Sequence, residues 1–411
     1  MNVQDLFVKY VKIHSVSAMD GEDNPTNPLE WDIAKIVAED MRAIGLRDVT
    51  LSDKCYVYGW LDATPGCEDA PALGLIAHMD TATDFCGENV NPRIIENFDG
   101  NDVELGCGRV LSVKNFPHLP SLKGKTLITT DGSTLLGADD KAGIAEILTA
   151  VSELIAEGAP HGKLCIGFTP DEEVGLGPKG FDIPLFGAKY AYTVDGGPIN
   201  SVDYECFNAC SAKVRFNGFN VHPGSAKNVM VNAALLAMEF NAMLPAGSIP
   251  AHTEGYQGFF HLTDMWGNVE SAGLDYIVRD HDAHLFETRQ KQLEHITQLM
   301  NDKYGEGTVT LELAQSYRNM AELVAPVFHL VENAKKAIAA AGLEPVSTPI
   351  RGGTDGATLS YMGLPCPNLG TGGHAAHGPY EHTTVEDMQA MVGILKTIVG
   401  LYAEHIDPLA F

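Results

Sequence analysis

The sequence predicts an α/β protein, a mixed sheet flanked by helices, interrupted by a smaller α+β unit. Three observations carry this expectation. From about residue 30 to residue 196, apolar residues at helical spacing alternate with short continuous apolar runs; after Gly196-Gly197 longer strand-like stretches take over; from about residue 320 the first pattern returns. A chain of 411 residues also exceeds the size at which a single core usually keeps growing, so two domains are expected. Their bounds read as 1–206 and 319–411 for the larger domain, with 207–318 inserted into it.

Taken in order, MNVQDLFVKYVKIHSV reads as an amphipathic first helix, because acid and lysine interrupt its apolar residues. WDIAKIVAEDMRAIGL reads as a second amphipathic helix and ALGLIAH as a buried strand. In GIAEILTAVSELIAEG, Ile144, Ile147, Leu148, Val151, Leu154 and Ile155 fall on one helical face, and Gly158 supplies a stop. KLCIGFT and AKYAYTV follow as short apolar strands, so crossovers between strands are required, and ligands are expected beyond the strands' carboxyl ends. In the inserted unit, ECFNACSAKVRFNGFNVHPG reads as paired antiparallel strands, VMVNAALLAMEFNAML as a helix and FHLTDMWGNVESAGLDYIVRD as further strands. A helix over HLFETRQKQLEHITQLMNDKY and a strand over TVTLELAQSY complete it.

Fifty-four acids against twenty-seven lysines and arginines give a formal charge of −27, which repels phosphate backbones and anionic membranes. Neither nucleic acid nor membrane is therefore an expected partner. The N-terminus lacks a cationic and then continuously apolar leader, and no apolar run is long enough to span a bilayer. The eight cysteines are scattered without a CxxC pair, which suits reduced thiols and a cytoplasmic location. Cys206 and Cys210 in CFNAC read as small buried thiols.

Against this background, TPDEEVG sets Asp171, Glu172 and Glu173 in a row at the end of a buried strand. Two carboxylates about 4 Å apart repel by about 4 kcal/mol at an effective dielectric near 20, so such a cluster needs protons, arginines or metal ions. Four other stretches share the strand-end setting. AHMDTAT carries His78 and Asp80, LLGADDKAG carries Asp139 and Asp140 just before a helix, TVDGG carries Asp195, and GTGGHAAHGPYEHTT carries His377 in a glycine-rich loop. Singly, each has an ordinary reading: a solvated turn histidine, a helix N-cap, a surface acid pair. Together they supply two histidines and at least three carboxylates, a donor set suited to two borderline divalent ions such as zinc. Asp80, two residues past His78, can orient its imidazole.

HMD, GADDKAG, TPDEEVG, TVDGG and GTGGHAAHGPYE, in this order and at these separations, resemble the dinuclear zinc exopeptidases and deacylases, and within them the tripeptide aminopeptidase family. The similarity covers essentially the whole chain; HPGSAKNVMVNA and IRGGTDGA are more specific to that family than the metal motifs are. The resemblance implies a metal-dependent aminopeptidase that releases the N-terminal residue from tripeptides, with two Zn2+ per subunit. By it, Asp139 bridges both ions, His78 and Asp195 complete one, Glu173 and His377 complete the other, and HGPYE selects His377. At His374 the chain departs from the family, which often has a tyrosine there.

The same resemblance makes Glu172 the base that activates a metal-bridging water and Asp80 the acid that fixes His78, which leaves Asp171 as a capping or structural acid. His222 and Asn232 resemble residues that bind substrate or polarise its carbonyl. Arg279 and Arg351 are cations suited to a terminal carboxylate, with an ordinary salt bridge as the alternative reading of each. The inserted unit corresponds to a lid and dimerisation domain. In related enzymes the histidine matching His222 can come from a partner subunit, so a homodimer is one expectation. Hinges are expected near Cys206 and Asn319, with closure over substrate. Related enzymes place a cis peptide after the bridging acid, which sets the same expectation for Asp139-Asp140.

Overall fold

The computed structural model describes residues 2–404 as two compact units. The larger runs to Tyr204 and is taken up again over Glu322–Ser347 and from Thr354 onward; the smaller comprises Glu205–Ala321 and Thr348–Gly353.

The larger unit is built on a seven-stranded sheet with the order Arg47–Leu51, Val57–Leu61, Leu164–Thr169, Leu73–His78, Tyr190–Gly196, Asn368–Gly370, Val202–Asp203. The pairs among Leu164–Thr169, Leu73–His78, Tyr190–Gly196 and Asn368–Gly370 are parallel, and the outer pairs antiparallel. Central strands covered on both faces need apolar residues throughout, and Leu73–His78 and Leu164–Thr169 are buried at every position. Because the parallel strands point the same way, His78, the turn after Thr169 and the end of Tyr190–Gly196 come out at one edge of the sheet.

Glycine allows the close approaches behind that edge. A Cβ on Gly143 would lie 2.0 Å from the carbonyl oxygen of Val194, so the helix Ala138–Glu157 can pack onto the strand Tyr190–Gly196 only with glycine there. The helix is buried nearly all round between the helices Val3–Val11 and Val385–Glu404 and the sheet, and Gly158, at φ 61°, ends it as expected. Ile155, expected on the packed face, is instead 37 % exposed in the last turn. Glu146 lies within this apolar surround, fully buried, and neither of its carboxylate oxygens has a hydrogen-bond partner among the described residues.

Residues 90–130, given no elements above, supply the strands Arg93–Ile95 and Leu127–Thr129 of a three-stranded sheet completed by His382–Thr384, and a hairpin, around a small core that includes Phe98, Leu105, Leu111, Leu119 and Leu127. No helix among the described residues is long and apolar enough to cross a membrane. All eight cysteines are free thiols, Cys206 and Cys210 both buried.

In the smaller unit four antiparallel strands lie in the order Phe259–Gly267, Ser271–Asp280, Asn208–Asn217, Val309–Tyr317. The helices Ala233–Met243 and Ala283–Tyr304 pack against it around Val214, Phe216, Phe240, Leu274, Tyr276 and Leu293. ECFNACSAKVRFNGFNVHPG thus contributes one long strand, not a pair. At Gly218 a Cβ would meet the Val269 carbonyl oxygen at 2.0 Å, and the chain beyond leaves the sheet. Thr348–Gly353 joins this unit through Ile350 N–H to Glu205 O (2.9 Å) and Phe207 N–H to Gly352 O (3.3 Å), contacts with no side-chain signature in the sequence.

Candidate active site

His78 ends its strand 2 % exposed, with Nε2 2.9 Å from Asp139 Oδ1 and 3.5 Å from Asp195 Oδ1. Its other nitrogen, Nδ1, lies 3.2 Å from Asp80 Oδ1 and 3.1 Å from the Asp80 carbonyl oxygen. Asp80 is fully buried and accepts from the backbone N–H groups of Glu172 (3.0 Å) and Glu173 (3.1 Å). One carboxylate therefore fixes both the imidazole and the backbone of the acidic triplet, although the strand itself stops at His78.

The triplet splits three ways. Asp171, at φ 59°, turns back into the protein, where Asn24 Nδ2 (2.8 Å), Thr26 N–H (2.9 Å) and the Thr26 hydroxyl donate to its carboxylate. Its own N–H donates to Glu30 (3.1 Å), a buried carboxyl pushed up to about 10 by burial and by Asp80 and Asp171. Glu173 sends Oε2 to within 3.0 Å of His377 Nε2, while its Oε1 is buried with no partner among the described residues. Glu172 is held through its backbone N–H, and its carboxyl is pushed well above the usual range by burial and then by Asp195 and Asp355.

Asp139 lies between the two histidines. Its Oδ1 faces His78 and its Oδ2 lies 3.6 Å from His377 Nε2. Burial alone would raise its pKa, but hydrogen bonds from His377 and His78 bring it well below the carboxylate range. The peptide between Asp139 and Asp140 is cis, as expected, and Asp139 and Asp140 have non-helical torsions, so regular helix begins at Lys141. Asp140 also comes close to His78 and Asp195, but its oxygens are taken by the backbone N–H groups of His78 (3.1 Å) and Gly143 (3.2 Å). Asp139 is thus the acid whose oxygens face both donor groups.

The expected metal ligands His78, Asp139, Glu173, Asp195 and His377 therefore converge, and with them Glu172 and Asp80. Donor atoms of His78, Asp139 and Glu173 lie within 4.8 Å of one another, as do those of His78, Asp140 and Asp195. The site carries far more carboxylates than imidazoles, and burial holds Asp195 up to about 7. Strong proton retention, an orphaned Glu173 oxygen and a donor set of nitrogen and carboxylate oxygen fit a pair of divalent cations. A cavity of about 190 Å3 adjoins it, lined by Asp139, Asp195, Gly196, Gly197, Thr371 and His374 among others. His374 belongs to that wall: its ring stacks on His118 at 4.1 Å, and burial with His118 pushes its pKa down to about 4.

Glu381 has no assigned role in the sequence, although it ends the HGPYE motif. Buried to 2 % exposure, it accepts from the backbone N–H groups of Leu136 (2.7 Å), Gly137 (2.8 Å) and Asp139 (3.0 Å), shaping the turn that presents Asp139. Its partners are backbone groups, so only its place beside His377 could have marked it.

The other four candidates, His222, Asn232, Arg279 and Arg351, belong to the smaller unit and are engaged in its own fold. His222 Nδ1 accepts from Gly224 N–H (3.1 Å), and Asn232 caps the helix Ala233–Met243 through Ala234 N–H (3.1 Å). Arg279 donates to the carbonyls of Cys210 (3.2 Å) and Val278 (3.0 Å) and lies over the Tyr317 ring. Arg351 donates to the carbonyls of Gly255 (2.7 Å) and Gln257 (2.9 Å) and lies over Phe207.

Residues 131–400 match the family described as peptidase family M20/M25/M40. A protein named peptidase T from Clostridium perfringens (strain ATCC 13124) is 50 % identical over 404 residues, covering 98 % of this chain and 99 % of the relative. Another peptidase T, from Geobacillus sp. (strain WCH70), is 48 % identical over 97 % of this chain and 98 % of its own. Among solved structures, the aminopeptidase PepT from Bacillus cereus ATCC 10987 superposes with a TM-score of 0.79 at 21 % identity, covering 98 % of each chain, a likeness of fold. The chain belongs to peptidase family M20/M25/M40, and its similarity to the peptidase T sequences runs through its whole length.

Proposed function

We propose that this chain is a dinuclear zinc aminopeptidase that removes the N-terminal residue from tripeptides. The observation that carries the reading is Asp139: its two oxygens face two separate sets of nitrogen and carboxylate donors, with the Glu172 carboxyl beside them. His78 and Asp195 would hold one ion, His377 and Glu173 the other, and Asp139 both. Zinc, when bound there, polarises the scissile carbonyl and acidifies water.

The chain's own residues supply the rest. Glu172 takes the proton of the attacking water and delivers it to the nitrogen of the leaving amine, its backbone N–H held by Asp80 beside His78. Asp80 keeps the His78 ring and the Glu172 backbone in register. His222, Asn232, Arg279 and Arg351 bind substrate, the guanidinium groups matching the peptide's terminal carboxylate. The smaller unit acts as a lid and dimerisation domain, and the enzyme works in the cytoplasm as a homodimer.

Metal content by elemental analysis, measured alongside hydrolysis of di-, tri- and tetrapeptides and N-acyl amino acids, tests this. Two zinc ions per chain with preferential release of the first residue of tripeptides is the expected result. Preference for N-acyl amino acids or dipeptides would make it a deacylase or dipeptidase, and slow turnover of everything at full loading would make it a binding protein.

A further inference from the structure

The two imidazoles of the site are anchored differently. Behind His78 stands Asp80, fully buried and tied to two backbone N–H groups. Behind His377 stands Asp84, four residues further along the same loop, with Oδ2 3.3 Å from His377 Nδ1. The backbone at His377 is left-handed, at φ 64°, as is that of Ala375 at φ 54°, so the ring is carried on a strongly turned loop and not at the end of a strand. An imidazole on such a loop can rotate about its side-chain bonds unless one nitrogen is held. Holding Nδ1–H leaves the Nε2 lone pair aimed at the space shared with Glu173 and Asp139.

We propose that Asp84 is the positioning residue of His377, and that the exposure of this pair makes the ion held by His377 and Glu173 the more readily lost of the two. The inference rests on the dinuclear reading above. The Asp84 side chain is 66 % exposed and that of His377 43 %, against 0 % and 2 % for Asp80 and His78. Water competes for an exposed carboxylate–imidazole contact and screens it, so the ring it orients is held less rigidly than the buried one. The two positions therefore load in two steps, the His78 position first.

The test is calorimetric titration of full-length, metal-free protein with Zn2+ in the presence of a competing chelator. Wild type should show a tighter and a weaker equivalent. Asp84→Ala should weaken the second by about 10-fold, the lower end of the range for partners of metal-bound histidine because this contact is exposed, and leave the first unchanged. Asp84→Asn retains an oxygen that accepts from Nδ1–H and should recover most of that loss. Equal weakening of both equivalents, no weakening, or an Asn variant no better than Ala would each overturn the proposal. Wild-type protein that takes up fewer than two ions would overturn the dinuclear reading, and this inference with it.

Discussion

Glu172 and Glu173 are adjacent in sequence and similar in chemistry, yet Glu173 meets His377 while Glu172 is fixed by its backbone, so the same substitution should do different things. Glu172→Gln is expected to abolish turnover with both ions retained, and Glu173→Gln to weaken one ion; Asp139→Asn should weaken both. Metal stoichiometry and peptide hydrolysis measured on each variant check this, and equal metal loss in the two Glu variants would reverse their roles. Glu146 offers a second test, remote from the chemistry. Burial, with a smaller push from Asp387, raises its pKa well above 4.5 in the folded state, so the fold favours the protonated form. Its contribution to stability is complete below the unfolded value, near pH 4.5, and is lost as pH rises from there through the folded value. Glu146→Gln, neutral throughout, should gain on wild type by up to about 1.4 kcal/mol per pH unit in that window, read from denaturant unfolding between pH 4 and 8. The residues legible in the sequence were those whose chemistry is carried by side chains in short motifs: His78, Asp80, Asp139, the triplet, Asp195 and His377. Glu381 and Asp84 were not, because each acts on a partner far along the chain and neither has a spacing that announces it.

At the scale of the element, the site is assembled from strand ends and from one helix start pressed against the sheet. Gly143 is where that pressing is tightest: an added methyl would meet Val194 O at 2.0 Å and Asp140 Oδ1 at 2.5 Å. Gly143→Ala should therefore cost about 1–3 kcal/mol, and more where the backbone cannot yield. It should also weaken metal binding, because Asp140 holds the His78 N–H. Gly393, exposed in the helix Val385–Glu404 with nothing near its missing Cβ, is the control: Ala there should gain about 0.5–1 kcal/mol. Thermal melts of the two variants should move in opposite directions. The long helices and buried strands were readable because their periodicity spans many residues. The three-residue strands at Arg93–Ile95, Leu127–Thr129 and His382–Thr384 were not, being too short to show a period and defined by partners distant in sequence.

At the scale of the whole molecule, the alternation of helix and strand declared an α/β sheet, but strand order is a matter of long-range pairing that no local pattern encodes. The strand Asn368–Gly370 sits inside the sheet, between Tyr190–Gly196 and Val202–Asp203, although it comes from near the end of the chain. A chain ended before Asn368 leaves both neighbours with bare edges and lacks His377, so a larger share of it than of the full chain should accumulate in the insoluble fraction on expression. The same placement sets a clock on the ribosome. Roughly 165 residues separate Asp203 from its partner Asn368, and at about 5–20 residues per second the nascent sheet waits roughly 10–30 s with that slot open. Until the missing strand arrives, the growing chain displays two unpaired backbone edges to every neighbour it meets, and its enzyme site can close only as synthesis ends.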